Sequence, residues 1–325
     1  MKLTSQRATL AILASTALVW AGAAHADYPE RPVTIIVPFS AGGNTDNIAR
    51  IAADHLSEAL GQSFVIENRG GGGGSIGAAM VAGAEADGYT LLFGTTGTHN
   101  VNPNLRDVDY DPIADFTPIS AAVVSSVLIV AHPSVEATSL EELMALTSSD
   151  AGAAMNYSSG GVGTVAHVAG ELYNEMTGSQ LLHIPYSGAG EALNDLVAGR
   201  VQLNMNNVPA FLPHIASGAV VPLAIAADER SMLLPDVPTT AEAGLDNFVM
   251  GSWFGLLAPA GVPQEVIDTL HSGMASLADN ETVVERYSAI GVEATPSASP
   301  AAFAQYISAQ YDWWGETLDN PAFQE

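Results

Sequence analysis

The feature that most constrains the fold of this chain is a regular alternation of apolar segments with amphipathic ones. Residues 33–38, VTIIVP, are a continuous and largely β-branched run, as expected for a strand buried on both faces of a parallel sheet. A glycine turn follows, and within residues 47–60 the side chains of Ile48, Ile51 and Leu56 recur at helical spacing. Strand, turn and helix in this order are typical of α/β folds.

The alternation continues through two sets of segments. The first set comprises strands at 33–38, 63–67 and 89–93 and helices at 47–60 and 75–84. The second comprises strands at 123–131, 154–159, 181–186, 201–206 and 222–228 and helices at 139–147, 163–178 and 189–199. Each set has the order expected of one doubly wound α/β unit.

The C-terminal part of the chain holds a strand and two amphipathic helices, at 253–261, 264–279 and 300–318. This is too little material for a third sheet, so we expect it to pack on the first unit. The prediction is a discontinuous first domain, residues 27–126 plus 251–325, and a continuous second domain, residues 127–250. Two chain crossings between the domains suit hinge closure around a ligand.

Residues 1–26 have the pattern of a secretory signal peptide. Lys2 and Arg7 precede an apolar run, residues 8–24, and Ala24-His25-Ala26 matches an A-x-A cleavage site. The run is short for a bilayer span of roughly 20 residues, which disfavours the alternative of a retained membrane anchor. We therefore expect export, with cleavage after Ala26.

The chain has no cysteine. This excludes disulfides, thiolate metal sites and a lipid-modified N-terminal cysteine. An exported protein without a lipid attachment point is retained by an outer membrane, so the expected location is the periplasm of a Gram-negative cell.

Charge narrows the choice of partners. Lys2 is the only lysine, so residues 27–325 hold seven arginines against 35 acidic residues, a formal net charge of −28. A polyanion such as DNA would be repelled, and we expect no nucleic-acid partner. The acidity by itself is typical of a solvated surface suited to a saline habitat.

The stretch ENRGGGGGSIG, residues 67–77, matches one cofactor-binding pattern and one catalytic pattern. Gly72, Gly74 and Gly77 fit a dinucleotide fingerprint, and the segment from Gly73 to Gly77 around Ser75 fits a hydrolase elbow. The fingerprint belongs after the first strand of its unit, whereas this stretch follows the second, and five consecutive glycines match both patterns easily. We expect these glycines to shape a surface turn that does not contact a ligand.

Metal chemistry has no support either. The eight histidines show neither H-x-x-x-H nor H-x-H spacing, so we expect no metal and no cofactor.

A stronger signal is a set of four loops rich in small residues, residues 38–46, 94–100, 158–164 and 186–191. Each follows a predicted strand, and in open α/β sheets ligands bind at the carboxyl ends of strands, where helix N-termini present free N–H groups. The candidate ligand-binding residues in them are Phe39, Ser40, Ala41, Gly42, Gly43, Thr45, Asp46, Thr95, Thr96, Thr98, His99, Ser158, Gly160, Gly161, Gly163, Thr164, Tyr186, Gly188, Ala189 and Gly190. All seven arginines beyond residue 26 fall outside these loops, so an anion would be held by backbone amides, hydroxyls and helix dipoles.

Six segments carry a resemblance to a known family. They are YPERPVTIIVPFSAGGNTD, LGQSFVIENRGGGGGSIGA, ADGYTLLFGTTGTHNVNP, NYSSGGVGTVAH, LPDVPTTAEAG and WFGLLAPAGVP. Together they resemble the signatures of periplasmic solute-binding proteins of tripartite tricarboxylate transporters, the Bug or TctC family, over most of the chain and in the same order.

The resemblance implies a type II periplasmic-binding-protein fold whose two α/β domains close on a small organic acid. It also implies two integral membrane partners that carry the ligand inward by ion-coupled transport. In the family, the loops that match residues 39–46 and 95–99 bind a ligand carboxylate, and second-domain loops that match 158–164 and 186–190 close over the other end. Because carboxylates repel each other, we expect Asp46 to cap its helix and fix its loop.

One segment departs from the family pattern. Where relatives commonly have an aromatic residue and then Asp-Asn before a proline, this chain has Met205, Asn206 and Asn207 before Pro209. Loss of the carboxylate removes a partner for an amino group. The departure favours a plain or hydroxylated di- or tricarboxylate over an amino acid, with Asn206 and Asn207 as further candidate ligand-binding residues. The alternative is that Asn206 only supports the strand end.

We therefore expect a monomeric periplasmic binding protein that presents a small carboxylate to a membrane transporter and catalyses no reaction. Two alternatives stay open. One is a periplasmic nucleotide-dependent oxidoreductase that uses the glycine loop, residues 70–77. The other is a carboxylate sensor that acts on a signalling receptor.

Overall fold

Nine strands form one continuous sheet in the computed structural model, which describes residues 28–149, 152–231 and 233–319. The strands are β1 (Val33–Val37), β2 (Phe64–Asn68), β3 (Thr90–Thr95), β4 (Phe116–Ala131), β5 (Asn156–Ser159), β6 (Leu182–Pro185), β7 (Leu203–Asn207), β8 (Val221–Ala226) and β9 (Gly251–Pro259). The predicted signal peptide, residues 1–26, lies outside the described residues.

Ten α-helices connect and cover these strands within the described ranges. They are α1 (Asn44–Leu60), α2 (Ser75–Ala82), α3 (Asn102–Leu105), α4 (Leu140–Thr147), α5 (Val165–Thr177), α6 (Ala189–Val197), α7 (Leu212–Ala216), α8 (Gln264–Ala275), α9 (Glu281–Ala289) and α10 (Pro300–Leu318). In this part of the chain, no helix has the length and apolar character that a bilayer crossing requires.

The sheet has two halves that share β4. The strand order is β2-β1-β3-β9-β4-β7-β5-β6, and β8 pairs with β4 beside this path. β4 pairs with β9 as far as Ser126, and from Val127 onward it pairs with β7 and β8. We call the half with β1, β2, β3, β9 and the start of β4 the first lobe, and the half with the end of β4 and β5 to β8 the second lobe.

Parallel pairing in each lobe confirms the α/β prediction. β1 runs parallel to β2 and β3, and β5 runs parallel to β6 and β7. Helices therefore start at one edge of each half-sheet, where the loops after β1, β5 and β6 lead into α1, α5 and α6. This arrangement brings the candidate loops of both lobes to a common cleft.

The buried side chains form separate cores on each lobe. In the first lobe, α1 packs on β1 and β2, α8 packs on α1 and β4, and Ile48 and Leu270 lie in one buried cluster. In the second lobe, Val127, Tyr157 and Tyr173 lie in one cluster. Trp314 and Leu318 at the end of α10 also pack in that second cluster, so the C-terminal helix bridges the two lobes.

Several elements differ from the sequence prediction, which lacked the short helices α3 and α7. β4 begins at Phe116 rather than at residue 123, and it contains Pro118, a residue type that is uncommon inside strands. The helix α9 was not predicted, although the Asn280 side chain caps it by accepting from the Val283 N–H. α1 begins at Asn44 rather than at residue 47, which places Asn44 in the first helical turn.

Candidate functional site

A cavity of about 50 Å³ lies between the two lobes. Its lining comes from both of them: Phe39, Gly43, Asn44, Thr45, Thr95, Gly97, Ser252 and Phe254 from the first, and Gly160, Thr164, Val165, Ala166, Ala189, Asn206 and Asn207 from the second. At roughly 10–15 Å³ for one water-sized sphere, the cavity has room for a few water-sized groups. The lobes are therefore closed on a small space.

Three helix N-termini converge on this cavity. Gly43 is the N-cap of α1, Thr164 is the N-cap of α5 and Gly188 is the N-cap of α6. Gly43 and Gly188 have no side chain that could accept from the first turns of α1 and α6. The N–H groups of those turns therefore stay free for a ligand. Helix dipoles place partial positive charge at each of these ends, and an anion is stabilised there.

The side chains around the cavity are neutral. Among the described residues, no Asp, Glu, Lys, Arg or His lines it. Phe39 and Phe254 form apolar walls, while the hydroxyls of Thr45, Thr95 and Ser252 supply neutral polar groups. An anionic group can therefore bind without a repelling carboxylate, and a cationic group would have no counter-ion.

The Asp46 carboxylate fixes the loop before α1. It accepts hydrogen bonds from the Gly42 N–H and Arg50 Nε, each 2.9 Å, and from Asn68 Nδ2, also 2.9 Å. Burial by itself would raise the pKa of this carboxyl, but the bonds from Arg50, Gly42 and Asn68 together hold it below its ordinary value. Asp46 thus fixes the loop as expected, but it does not cap the helix, because it lies inside the first turn, after Gly43 and Asn44.

Two hydrogen-bonded contacts join the lobes at the cavity and its rim. Inside, Asn44 Nδ2 donates to Asn206 Oδ1 over 3.0 Å. At the rim, Arg106 Nη2 donates to the carbonyl oxygens of Gly72, 2.8 Å away in the first lobe, and of Val162, 2.7 Å away in the second. In both contacts, the oxygen that accepts the hydrogen bond in the second lobe is uncharged.

The glycine-rich stretch packs into this rim. Gly73 and Gly74 are buried, and a Cβ on Gly73 would lie 2.2 Å from the Val162 carbonyl oxygen. The stretch is therefore a partly exposed turn, as expected from the sequence, that also forms a contact between the lobes at Gly73, which the sequence did not indicate. Only glycine allows so close an approach of the second-lobe backbone.

Comparisons with known proteins agree with this architecture. Residues 48–321 match the family described as "Tripartite tricarboxylate transporter family receptor", abbreviated TctC. The chain belongs to the TctC family. The predicted periplasmic-binding-protein fold is also confirmed, because solved periplasmic binding proteins have the same fold.

Three solved structures show how far the TctC likeness extends. The periplasmic binding protein BugD is 35% identical, with a TM-score of 0.87 over 92% of this chain and 99% of BugD. A protein of R. palustris solved with adipate is 36% identical, with a TM-score of 0.86 over 90% of this chain and 98% of that one. MatC from Rhodopseudomonas palustris, solved with bound malate, is 33% identical, with a TM-score of 0.85 over 90% of this chain and all of MatC.

The structure brings part of the candidate set for this TctC protein to the cavity. The candidates that line it are Phe39, Gly43, Thr45, Thr95, Gly160, Thr164, Ala189, Asn206 and Asn207. Those that lie outside the lining are Ser40, Ala41, Gly42, Asp46, Thr96, Thr98, His99, Ser158, Gly161, Gly163, Tyr186, Gly188 and Gly190. Several of the latter hold the loops in place; Ser40, for example, is in van der Waals range of Gly188.

His99 lies in the first-lobe core. Its ring contacts Phe116 and Trp253, and Thr98 Oγ1 lies 2.9 Å from its Nδ1. Burial lowers the pKa of His99 to about 3, so the ring is neutral at pH 7. Thr98 and His99 shape the turn from which only Thr95 and Gly97 reach the cavity.

Six lining residues were not in the candidate set: Asn44, Gly97, Val165, Ala166, Ser252 and Phe254. Asn44 and Gly97 lie within the predicted loops, so the loop signal could have included them. Ser252 and Phe254 come from β9, and no pattern in their apolar strand indicates that it returns beside the cavity.

Proposed function

We propose that this TctC protein is a periplasmic solute-binding protein that captures a small organic carboxylate between its lobes. The observation that carries the proposal is the convergence of three helix N-termini from two lobes on one neutral cavity. Free N–H groups and dipoles bind an oxyanion without a guanidinium clamp. The adipate and malate bound to the two R. palustris relatives support a carboxylate ligand.

Binding without catalysis is part of the proposal. Among the described residues, the cavity lining offers no titratable side chain that could serve as a general acid or base. The dinucleotide alternative has little support, because the glycine-rich stretch is packed against Val162, Asn102 and Arg106. A pyrophosphate would have to displace this contact between the lobes.

Delivery to a membrane transporter completes the proposal. The family is described as the receptor of a tripartite transporter, which supports two integral membrane subunits as partners. The periplasm is the compartment in which an exported receptor would meet them. Release suits a site built from neutral donors, since no charged side chain has to be separated from the ligand.

The binding test uses calorimetry and thermal shift on the purified protein with carboxylates of two to six carbons, and with NAD and NADP as counter-ligands. We expect saturable binding of at least one carboxylate and none of the nucleotides; the reverse pattern would refute the proposal. The variant Gly43→Leu should abolish binding. A Cβ at this position would lie 3.5 Å from the Gly190 nitrogen across the cleft, so the rest of the leucine side chain would fill the cavity. Gly83→Leu, at the end of α2 and away from the cleft, is the matched control.

The transport test places the two cognate membrane subunits in proteoliposomes. We expect labelled carboxylate to accumulate inside only when the liganded binding protein is added outside. Binding without transport, together with activation of a signalling receptor, would instead establish the sensor alternative.

A further inference from the structure

The loop between β5 and α5 is the part of the second lobe that meets the first lobe at the rim of the cavity. Gly160 and Thr164 of this loop line the cavity. Between them, the carbonyl oxygen of Val162 accepts from Arg106 of the first lobe over 2.7 Å. The position of this loop therefore affects both the shape of the cavity and the contact between the lobes.

Two histidines hold this loop from the second-lobe side. The backbone N–H of Gly163 donates to His167 Nδ1 over 3.5 Å. His183 Nε2 lies 2.7 Å from Ser159 Oγ, which also accepts from the Gly161 N–H over 3.1 Å. The two imidazole rings lie 4.5 Å apart. Because both nitrogens of a protonated imidazole are donors, a proton on His167 Nδ1 would remove its bond to the loop.

Titratable and charged groups surround His167 on several sides. Arg106 acts on it from the first lobe, His183 packs on it from β6, and the Tyr157 hydroxyl of β5 donates to its carbonyl oxygen. Glu171, one turn further along α5, accepts from that hydroxyl over 2.5 Å. The strand β7, which also packs on α5, has no charged residue. A nearby carboxylate would favour the protonated ring, yet burial and the Arg106 charge lower the pKa of His167 to about 4.

Arg106 and His167 lie on opposite sides of the boundary between the lobes. Arg106 Nη2 lies 3.0 Å from the position of a Cβ on Gly163, whose N–H is bonded to His167. A proton on the His167 ring would therefore place two positive charges near each other across this boundary. We expect a ligand to enter as the lobes part, which would separate these charges and expose the ring. An open form would then bind the proton more readily than the closed form.

Building on the proposed function, we propose that His167 is a positioning residue for the closed form and that its protonation makes the protein release its ligand in mild acid. The neutral ring accepts from Gly163 and holds the loop against the first lobe. The protonated ring loses this bond and repels Arg106. An exposed histidine titrates near 6.5, whereas the pKa of His167 in the closed form is about 4. Between these values the open form takes up more protons, so ligand affinity falls as the pH falls.

The test measures affinity at pH 7 and pH 4.5 by calorimetry, well below the melting transition, with the carboxylate that binds best. The variant His167→Gln keeps a side-chain oxygen that can accept but does not titrate. His214→Gln, on α7 of the same lobe and outside the cavity lining, is the matched control.

Protonation of the ligand itself affects every protein equally, so each affinity is divided by that of His167→Gln at the same pH. This ratio should fall about threefold or more from pH 7 to pH 4.5, both for the original protein and for His214→Gln. A constant ratio would overturn the inference, while carboxylate binding itself would stand.

The variant Arg106→Gln separates repulsion across the lobe boundary from a merely structural role of the histidine. Without the guanidinium charge, the same ratio, taken between Arg106→Gln and the double variant Arg106→Gln/His167→Gln, should change less with pH. A change as steep as that of the original protein would show that Arg106 does not act on this proton.

If His167→Gln fails to fold, an NMR titration of the His167 ring in the original protein decides the question. Its pKa should be about one unit or more higher in the free protein than in the liganded protein. Equal values would overturn the inference. Absence of binding by every carboxylate at pH 7 would refute the proposed function, and this inference with it.

Discussion

Arg106 of the first lobe donates a hydrogen bond of 2.7 Å to the carbonyl oxygen of Val162 in the second. The same guanidinium is held by Asn102 Oδ1, 2.6 Å from its Nε, and by the Gly72 carbonyl oxygen. Arg106 thus joins the loop before α5 in the second lobe to the glycine-rich stretch in the first. We expect a ligand to bind as the lobes close, so that its affinity includes the free energy of this contact.

Arg106→Ala should weaken ligand binding about tenfold, because a bond from a charged donor to the second lobe is lost at a solvent-exposed site. Calorimetry with the best carboxylate measures the effect. Arg286→Ala removes an arginine whose partner, Asp54, lies in its own lobe, and it should leave the affinity unchanged. Equal affinities for the two variants would show that the rim contact does not stabilise the closed state.

Gly73→Ala should oppose closure more strongly than it destabilises the first lobe. The new Cβ would lie 2.2 Å from the Val162 oxygen, so the lobes could not meet as they do. Gly61→Ala is the matched control, because Gly61 has a similar φ, 69° against 65°, with open space around its Cβ position. Both variants should lose about 1 kcal/mol of folding free energy, but only Gly73→Ala should lose affinity. Thermal melts and calorimetry separate the two effects, and similar affinity losses would contradict this role.

Asp46→Asn should lower the free energy of unfolding by about 1–3 kcal/mol, because it removes the buried acceptor that Gly42, Arg50 and Asn68 share. The Asp46 side chain is 4% exposed, whereas Asp54, on the same helix, is 64% exposed in its pair with Arg286. Asp54→Asn should therefore cost less than about 1 kcal/mol. Urea unfolding of both variants measures the difference, and equal losses would contradict the structural role of Asp46.

Mild acid should destabilise the fold through two neighbouring buried histidines, His167 and His183. The rings of His167 and His183 lie 4.5 Å apart, and burial lowers the pKa of each to about 4. An unfolded histidine titrates near 6.5, so between about pH 6.5 and 4 the unfolded chain binds more protons and stability falls as the pH falls. The melting temperature should decrease through this window.

The variant His183→Phe tests this origin, because phenylalanine keeps a ring against Tyr157 and does not titrate. It loses the contact with Ser159 Oγ, 2.7 Å from His183 Nε2, so its melting temperature at pH 7 should be lower. Its decrease between pH 6.5 and 4.5 should nevertheless be shallower than that of the original protein. A decrease of equal steepness would assign the acid sensitivity to other groups.

Much of the fold could be predicted from local patterns. The run of apolar residues at 33–38 and the helical spacing from Ile48 to Leu56 correspond to the buried faces of β1 and α1. Buried positions carry apolar residues, so their spacing can be read from the sequence. The start of α1 was placed three residues late, because Asn44 favours caps and turns over helix interiors. This boundary mattered, since Asn44 lines the cavity and donates to Asn206 of the second lobe.

The candidate site was predicted only in part. Small residues indicated the loops around Gly43, Gly160 and Ala189, and all three line the cavity. The same signal also selected Thr98 and His99, which lie in the core, because a loop pattern does not say which side chains face the ligand. Ser252 lines the cavity because β9 pairs with β3 and β4, and these strands are far from β9 in the sequence.

The sequence by itself determined the α/β order, the loops of small residues at strand ends and the family, because each depends on local spacing or on residue types in order. Tertiary structure alone decided that Asn44 meets Asn206 and that Gly73 meets Val162, since these pairs lie 162 and 89 positions apart and come together only through the packing of one lobe on the other. The most motif-like stretch of the chain therefore forms a contact between the lobes, and Asn44, which belongs to no recognised motif, forms another inside the cavity.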